Sequence, residues 1–212
     1  MNNKIYFKEI DKQYYNYVLG VDLDGVCWDL VTPWVEALNK KHLMHIKPED
    51  ITDWDIAKFF PGLSRNQVFA PLHEEAFFKR LELYPDVEHY WNELEKHNVK
   101  LLLVSSSHPQ TIGYKMDAVM RLMPFVSIKD IIITSHKPLI NIDGLVDDGL
   151  HNFEFGDFHR FIYDAPHNRN FDGTEFPNNY YYTRVHNWKE LYNCVMDKFT
   201  DYTKYNNYKF TI

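Results

Sequence analysis

The sequence predicts an α/β fold: a Rossmann-like parallel sheet with helices on both faces, plus a small helical cap inserted after the first strand. Three observations predict it. Short apolar runs alternate with helical stretches along most of the 212 residues, the pattern of parallel strands joined by crossover helices. Several of those runs end abruptly in Asp or Ser. Finally, the stretch between the first two runs is much longer than one crossover helix, which uses ~10–15 residues plus loops.

Taken in order, Tyr17 to Val21 is an apolar run ending at Asp22 and reads as a buried strand. Asp29 to His42 reads as a helix, with Trp34, Leu38 and the stem of Lys41 at helical spacing and Pro33 in its first turn. Residues 43–85 change character, because Pro48, Pro61-Gly62, Pro71 and Pro85 break them into short helical pieces. Ser64 is placed to N-cap a helical pattern of Val68, Leu72 and Glu75. Aromatic residues crowd this segment, and Phe59, Phe60 and Phe69 are expected to pack it internally. Val87 to His97 and Thr111 to Met123 read as helices flanking the strand Lys100 to Val104, which ends in Ser105-Ser106-Ser107. Ile131 to Ile133, Gly144 to Val146 and Phe161 to Tyr163 read as further strands, and Trp188 to Phe199 as a closing helix. Two units follow: residues 1–42 with 86–212 as the α/β core, and 43–85 as a helical cap.

Composition narrows the function. The chain is 45% hydrophobic and 17% aromatic, enough for a core with rings left over for a pocket. A formal net charge of -7 argues against binding extended nucleic acid, which needs a positive face. The polar start of the chain lacks a long apolar run, so neither a signal peptide nor a membrane span is expected. The two cysteines, Cys27 and Cys194, have no metal or disulfide spacing. A cytoplasmic protein is the simplest expectation.

The strand ends carry the chemistry. Ligands of open α/β sheets bind beyond the carboxyl ends of the strands, and Asp22, Asp24, Ser105, Ser106, Asp147 and Asp148 all lie there. Close carboxylates repel unless a cation holds them. Asp22, Asp24, Asp147 and Asp148 together therefore call for a divalent, oxygen-seeking metal, and Mg2+ suits such a set. Ser105 and Ser106 can donate to a phosphoryl group, and Lys137 can supply positive charge. Asp22 then reads as a nucleophile forming an aspartyl-phosphate, with Asp24 as the general acid and base. Of the second Asp pair, Asp148 is the expected direct metal ligand.

Asp-x-Asp-Gly-Val at 22–26, Ser105, Lys137 and Asp147-Asp148, in this order, resemble the four motifs of haloacid dehalogenase-like phosphatases. A narrower resemblance, to 5'(3')-deoxyribonucleotidases, is carried by Gly25-Val26 with Trp28-Asp29, Pro61-Gly62-Leu63-Ser64, and Phe77-Phe78 with Leu81-Glu82 and Pro85. Ala165-Pro166-His167-Asn168 and His186-Asn187-Trp188-Lys189 extend it, so that it runs from about 18 to 192. It implies hydrolysis of deoxyribonucleoside monophosphates and a homodimer. It also implies an aromatic base pocket at Trp54, Phe78 and Phe77, and a phosphate-side lysine at Lys115. The chain departs from the family at Gly149-Leu150-His151, where a basic or polar residue usually follows the Asp pair, and in the loosely matching stretch 43–60. Two other functions fit the same residues: a related phosphatase for a sugar phosphate, another metabolite or a nucleic-acid end, and a non-catalytic phosphate-binding module. His167 and His186 read as structural or supporting rather than catalytic.

Overall fold

The computed structural model describes residues 15–171 and 182–207, with side chains described through 198. A six-stranded sheet forms its centre, in the order β3-β2-β1-β4-β5-β6. The strands are β1 (Tyr17–Val21), β2 (Val99–Ser105), β3 (Ile131–Ile133), β4 (Gly144–Asp147), β5 (His159–Tyr163) and β6 (Tyr182–Val185). Every neighbouring pair is parallel, as the alternation of strands and helices predicts. β6 is not expected from the sequence, because Thr183 and Arg184 interrupt its apolar character. It is an edge strand, and Arg184 uses its side chain to hold Asp164 (2.9 Å) and Asn168 (2.6 Å).

Two apolar clusters cover the sheet, because successive residues of a strand point to opposite faces. Tyr17, Leu19 and Val21 of β1 join the larger cluster, whereas Val18 joins a smaller one with Leu145, Phe153 and Ile162. The helices α1 (Val31–His42), α2 (Arg65–Phe69), α3 (Glu75–Phe78), α4 (Val87–Lys96), α5 (Ile112–Leu122) and α6 (Trp188–Asn207) complete the fold. Ser64 does N-cap α2: its hydroxyl accepts from Gln67 N, and the Gln67 side chain accepts from Ser64 N (2.9 Å). The helix expected to continue to Glu75 instead breaks after Phe69 into a 3-10 turn at Ala70–His73. Pro71 has no N–H to continue the α-helical ladder.

The excursion between β1 and α4 is closed at its neck. Tyr84 N donates to Cys27 O (2.8 Å), and Trp28 forms an antiparallel bridge with Leu83. Between these points, α1 packs on the turns of the insertion, and the Trp34 Nε1–H donates to Val68 O at 2.7 Å. On this geometry we propose that the cap begins at about 29, with α1 as its first element, rather than at 43. Phe60, Val68 and Phe77 of the insertion share one apolar cluster with Leu19 and Leu101 of the sheet, so the cap is seated on the core. From α5, Arg121 donates to Phe78 O (3.0 Å) and holds the return of the cap.

Trp34→Phe keeps most of the ring but leaves the buried Val68 carbonyl without its donor. It is expected to cost about 1–3 kcal/mol, a fall in melting temperature of roughly 2–12 °C for a chain of this size, which thermal unfolding followed by circular dichroism would measure.

Candidate functional site

After β1 the chain folds into a hook. Cys27 N and Trp28 N both donate to Leu23 O (3.0 and 3.3 Å), and Gly25 N donates to Trp28 O (2.9 Å). From below, the Trp188 indole donates to Val26 O (2.9 Å) and the Cys27 thiol to Asp22 O (3.2 Å). Gly25 sits at φ 74°, and a Cβ there would overlap the Asp148 carboxylate. The hook therefore requires glycine both for its backbone and for its space.

Since β1, β2 and β4 are adjacent and parallel, their carboxyl ends open on one crevice. The Asp22, Asp147 and Asp148 carboxylates converge there, with one oxygen from each within 4.8 Å of the others. Lys137, from the loop before β4, is buried between two of them and donates to Asp22 Oδ1 (2.5 Å) and Asp147 Oδ2 (2.6 Å). The other Asp147 oxygen accepts from Gly149 N (2.8 Å) and Asn152 Nδ2 (2.9 Å). Asp147 is thus fully engaged by the protein. Asp148 is more open: its carboxylate has His167 Nε2 at 3.4 Å. Asp24 lies apart from the trio. Its Oδ1 accepts from the Trp28 indole (2.8 Å), and its Oδ2 pairs with Lys115 of α5. Lys115 also reaches Ser106 O (2.8 Å) and Ser105 Oγ (3.2 Å).

Burial raises the Asp22 pKa to about 7, and the charges of Asp147 and Asp24 add to this while Lys137 opposes it. Burial also raises Asp148 well above the ordinary carboxylate range, with Asp147 and Asp22 adding to it. Burial alone would lower the Lys137 pKa, but Asp22 and Asp147 outweigh it and raise the ammonium above its usual range. His167 is lowered, chiefly by burial, and so is neutral near pH 7. Four carboxylates against two ammonium groups leave two negative charges when all are ionised. An all-oxygen donor set with that excess fits a hard divalent cation.

A cleft of about 680 Å3 opens above this floor, between the core and the insertion. Of the residues expected from the sequence, Asp22, Asp24, Lys115, Lys137, Asp148, Ser106, Trp54 and Phe78 line it. Asp147 stands behind the wall, holding Lys137. Ser105 is buried below the surface at 1% exposure, and Ser106 and Ser107 reach the cleft in its place. Phe77 does not line the cleft. It is buried in the apolar cluster, edge-on to Phe78 (5.5 Å), because neighbouring helical residues point about 100° apart. Phe69, expected to pack the cap, forms part of the cleft wall with Trp34, the two rings meeting edge-to-face at 5.1 Å. Trp54, 56% exposed, crosses from the insertion to the core and meets His151 (4.7 Å) and His167 (5.2 Å) edge-on. His151, Asn152 and His108 were missed as cleft residues; nothing in the periodicity of their loops marks which way they face. His186 instead precedes α6, where its ring and its backbone N–H meet the Glu190 carboxylate (2.8 and 2.9 Å), while Asn187 caps the helix by accepting from Glu190 N (2.9 Å).

A profile of the family described as "5' nucleotidase, deoxy (Pyrimidine), cytosolic type C protein" matches residues 16–199. The 5'(3')-deoxyribonucleotidase of Bacillus subtilis strain 168 is 29% identical over 175 residues, covering 82% of this chain and 95% of the relative. A 5'(3')-deoxyribonucleotidase of Clostridium acetobutylicum is 30% identical over 151 residues, covering 71% of this chain and 83% of the relative. Among solved structures, a HAD hydrolase of family IA, variant 3, from Entamoeba histolytica superposes with a TM-score of 0.58 at 13% identity. That match covers 89% of this chain and 99% of the other, and it shows a shared fold.

The carboxylate cluster makes the metal-free protein sensitive to pH. A carboxyl with a folded pKa near 7 and an ordinary unfolded value binds more protons folded than unfolded, so stability falls as pH rises from about 4 to about 7. A divalent cation favours the ionised carboxylates and offsets this loss. The rise in melting temperature on adding millimolar Mg2+ is therefore expected to be larger at pH 8 than at pH 5, as thermal-shift measurements would show.

Proposed function

We propose a nucleotidase function on the premise that the chain belongs to the family of deoxy (pyrimidine), cytosolic type C 5'-nucleotidases. The substrate is a deoxyribonucleoside monophosphate, and the reaction is hydrolysis of its phosphate monoester. One observation carries the reading: Asp22 and Asp24 stand on a single hook, each engaged by its own lysine, beneath a cleft walled by apolar rings of the cap.

In this reading the Asp22 carboxylate attacks phosphorus, the bond to the nucleoside oxygen breaks, and an aspartyl-phosphate forms. Asp24 gives the leaving oxygen its proton, then takes one from the water that attacks the aspartyl-phosphate and releases inorganic phosphate. Lys115 lies between Asp24 and the two serine residues, where a phosphate dianion would compete for its charge. Lys137 keeps Asp22 in place and balances part of its charge. Mg2+, when bound by Asp22 and Asp148, supplies positive charge that stabilises the phosphoryl oxygens. The open carboxylate of Asp148 supports it as the direct ligand, and the saturated Asp147 as the anchor of Lys137.

For the base we retain Phe78 and Trp54 and add Phe69 and Trp34, whose rings share the cleft wall. A sugar phosphate would leave those flat rings without a stacking partner, whereas a base has one. A binding module without turnover would have no use for the leaving-group acid Asp24. The net charge of -7 accords with a small nucleotide rather than extended nucleic acid. A cytoplasmic setting accords with two free cysteines, Cys27 and Cys194.

Phosphate release from dUMP or dTMP with Mg2+ is expected to fall at least ~1,000-fold in Asp22→Asn and to stop on chelation; an Asp22→Asn enzyme within tenfold of the parent would sink the aspartyl-phosphate route. Phe69→Ala and Phe78→Ala should each weaken nucleotide binding by roughly 1–3 kcal/mol if a base stacks there. Comparing KM for dUMP with that for p-nitrophenyl phosphate, which has no base, measures it.

A further inference from the structure

The hook that carries Asp22 and Asp24 ends on a residue whose role goes beyond filling space. Trp28 is fully buried, yet its one polar side-chain atom is directed at a carboxylate: the indole Nε1–H donates to Asp24 Oδ1 at 2.8 Å. The Asp24 side chain is 25% exposed, and Asp24 lines the cleft. Its two oxygens are therefore in different surroundings. Oδ1 is committed to the indole, and Oδ2 is on the Lys115 side with Ser105 and Ser106.

We propose that Trp28 is the positioning residue that orients Asp24 for proton transfer to the leaving oxygen. The inference rests on the aspartyl-phosphate reading above. An indole N–H can only donate. It therefore holds the oxygen that accepts, and it leaves the other oxygen to carry the proton toward the cleft. A side chain that could both donate and accept would not make this distinction. The carboxyl group is on a short stem, and without this bond it could rotate about its Cβ–Cγ axis and exchange its oxygens. When phosphate draws Lys115 away, the indole is the remaining partner that fixes the group.

Trp28 is itself braced. Its N–H donates to Leu23 O and its carbonyl accepts from Gly25 N, so its backbone closes the hook. It bridges Leu83, where the cap rejoins the core. The alignment of Asp24 is thus tied to the neck of the cap. In the proton-transfer step, the bond from phosphorus to the nucleoside oxygen breaks, its electron pair stays on that oxygen, and the proton passes to it from Asp24.

The test separates orientation of the acid from general damage by varying the leaving group. A nucleoside alkoxide needs the proton, whereas p-nitrophenolate leaves without one. Position 28 is changed in two ways: Trp28→Phe, and replacement of Trp28 by 3-benzothienylalanine, which keeps the bicyclic shape but has sulfur in place of N–H. kcat/KM, which reports the steps through aspartyl-phosphate formation, is measured for dUMP and for p-nitrophenyl phosphate. The expected result is a fall for dUMP at least tenfold greater than for p-nitrophenyl phosphate in both proteins, in line with the ~100-fold sensitivity of rates to small misplacements. Equal falls for the two substrates, or no fall with the isostere, would overturn the assignment and leave Trp28 as packing alone. If the unaltered chain released phosphate from neither substrate, the phosphatase reading would fail, and this assignment with it.

Discussion

The structure is organised around a charge problem at one edge of a sheet. Parallel strands bring Asp22 and Asp147 side by side, with Asp148 next in the chain and Asp24 two residues beyond Asp22. In a buried setting such carboxylates would repel and take up protons. Lys137 is inserted between Asp22 and Asp147, and Lys115 engages Asp24. Replacing one of these ions would leave its partner buried without compensation, which is more costly than losing the pair together. The remaining excess of negative charge suits the cluster to a divalent cation, and a cation with the two lysines would let this floor accept a phosphate.

This arrangement depends on the hook and on the cap. The hook has to turn within a few residues and leave room for Asp148, which is why glycine stands at 25. Its return at Cys27 and Trp28 meets the return of the cap at Leu83 and Tyr84. The residues that hold Asp24 and the residues that anchor the insertion are therefore the same few. The cap also shares the apolar cluster of the core, so its inner face is set by packing rather than by contact with a ligand. Trp54 spans the two parts by its contacts with His151 and His167, and His167 in turn approaches Asp148.

Much of this is legible in the residues. Apolar runs ending in Asp22, Ser105 and Asp147 locate β1, β2 and β4, since a buried strand must be apolar and a polar residue marks its exit. β6 is not legible, because an edge strand with Thr183 and Arg184 lacks that contrast. The break after Phe69 falls beside Pro71, one of the breakers of this segment, although the Val68, Leu72 and Glu75 spacing runs across it. Within the cap, Phe77 and Phe78 are adjacent in sequence, and only their places on α3 separate a core ring from a cleft ring. Phe69 reads as a packing residue and Trp34 only as a position on a helix; the two rings pack on each other while also forming a wall.

By itself, then, the sequence determined the parallel α/β class, the strand ends that bear carboxylates, the need for a cation, and the presence of an insertion after β1. These follow from patterns local to each segment, where apolarity, periodicity and unlike charges can be read directly. The tertiary structure decided which carboxylate each lysine serves, that Ser106 and Ser107 reach the cleft while Ser105 stays below, and which rings face the cleft. It also decided that Trp28, four residues from Asp24, turns its only polar side-chain atom onto it. These outcomes depend on the direction of side chains brought together from distant segments, and no local pattern encodes that direction.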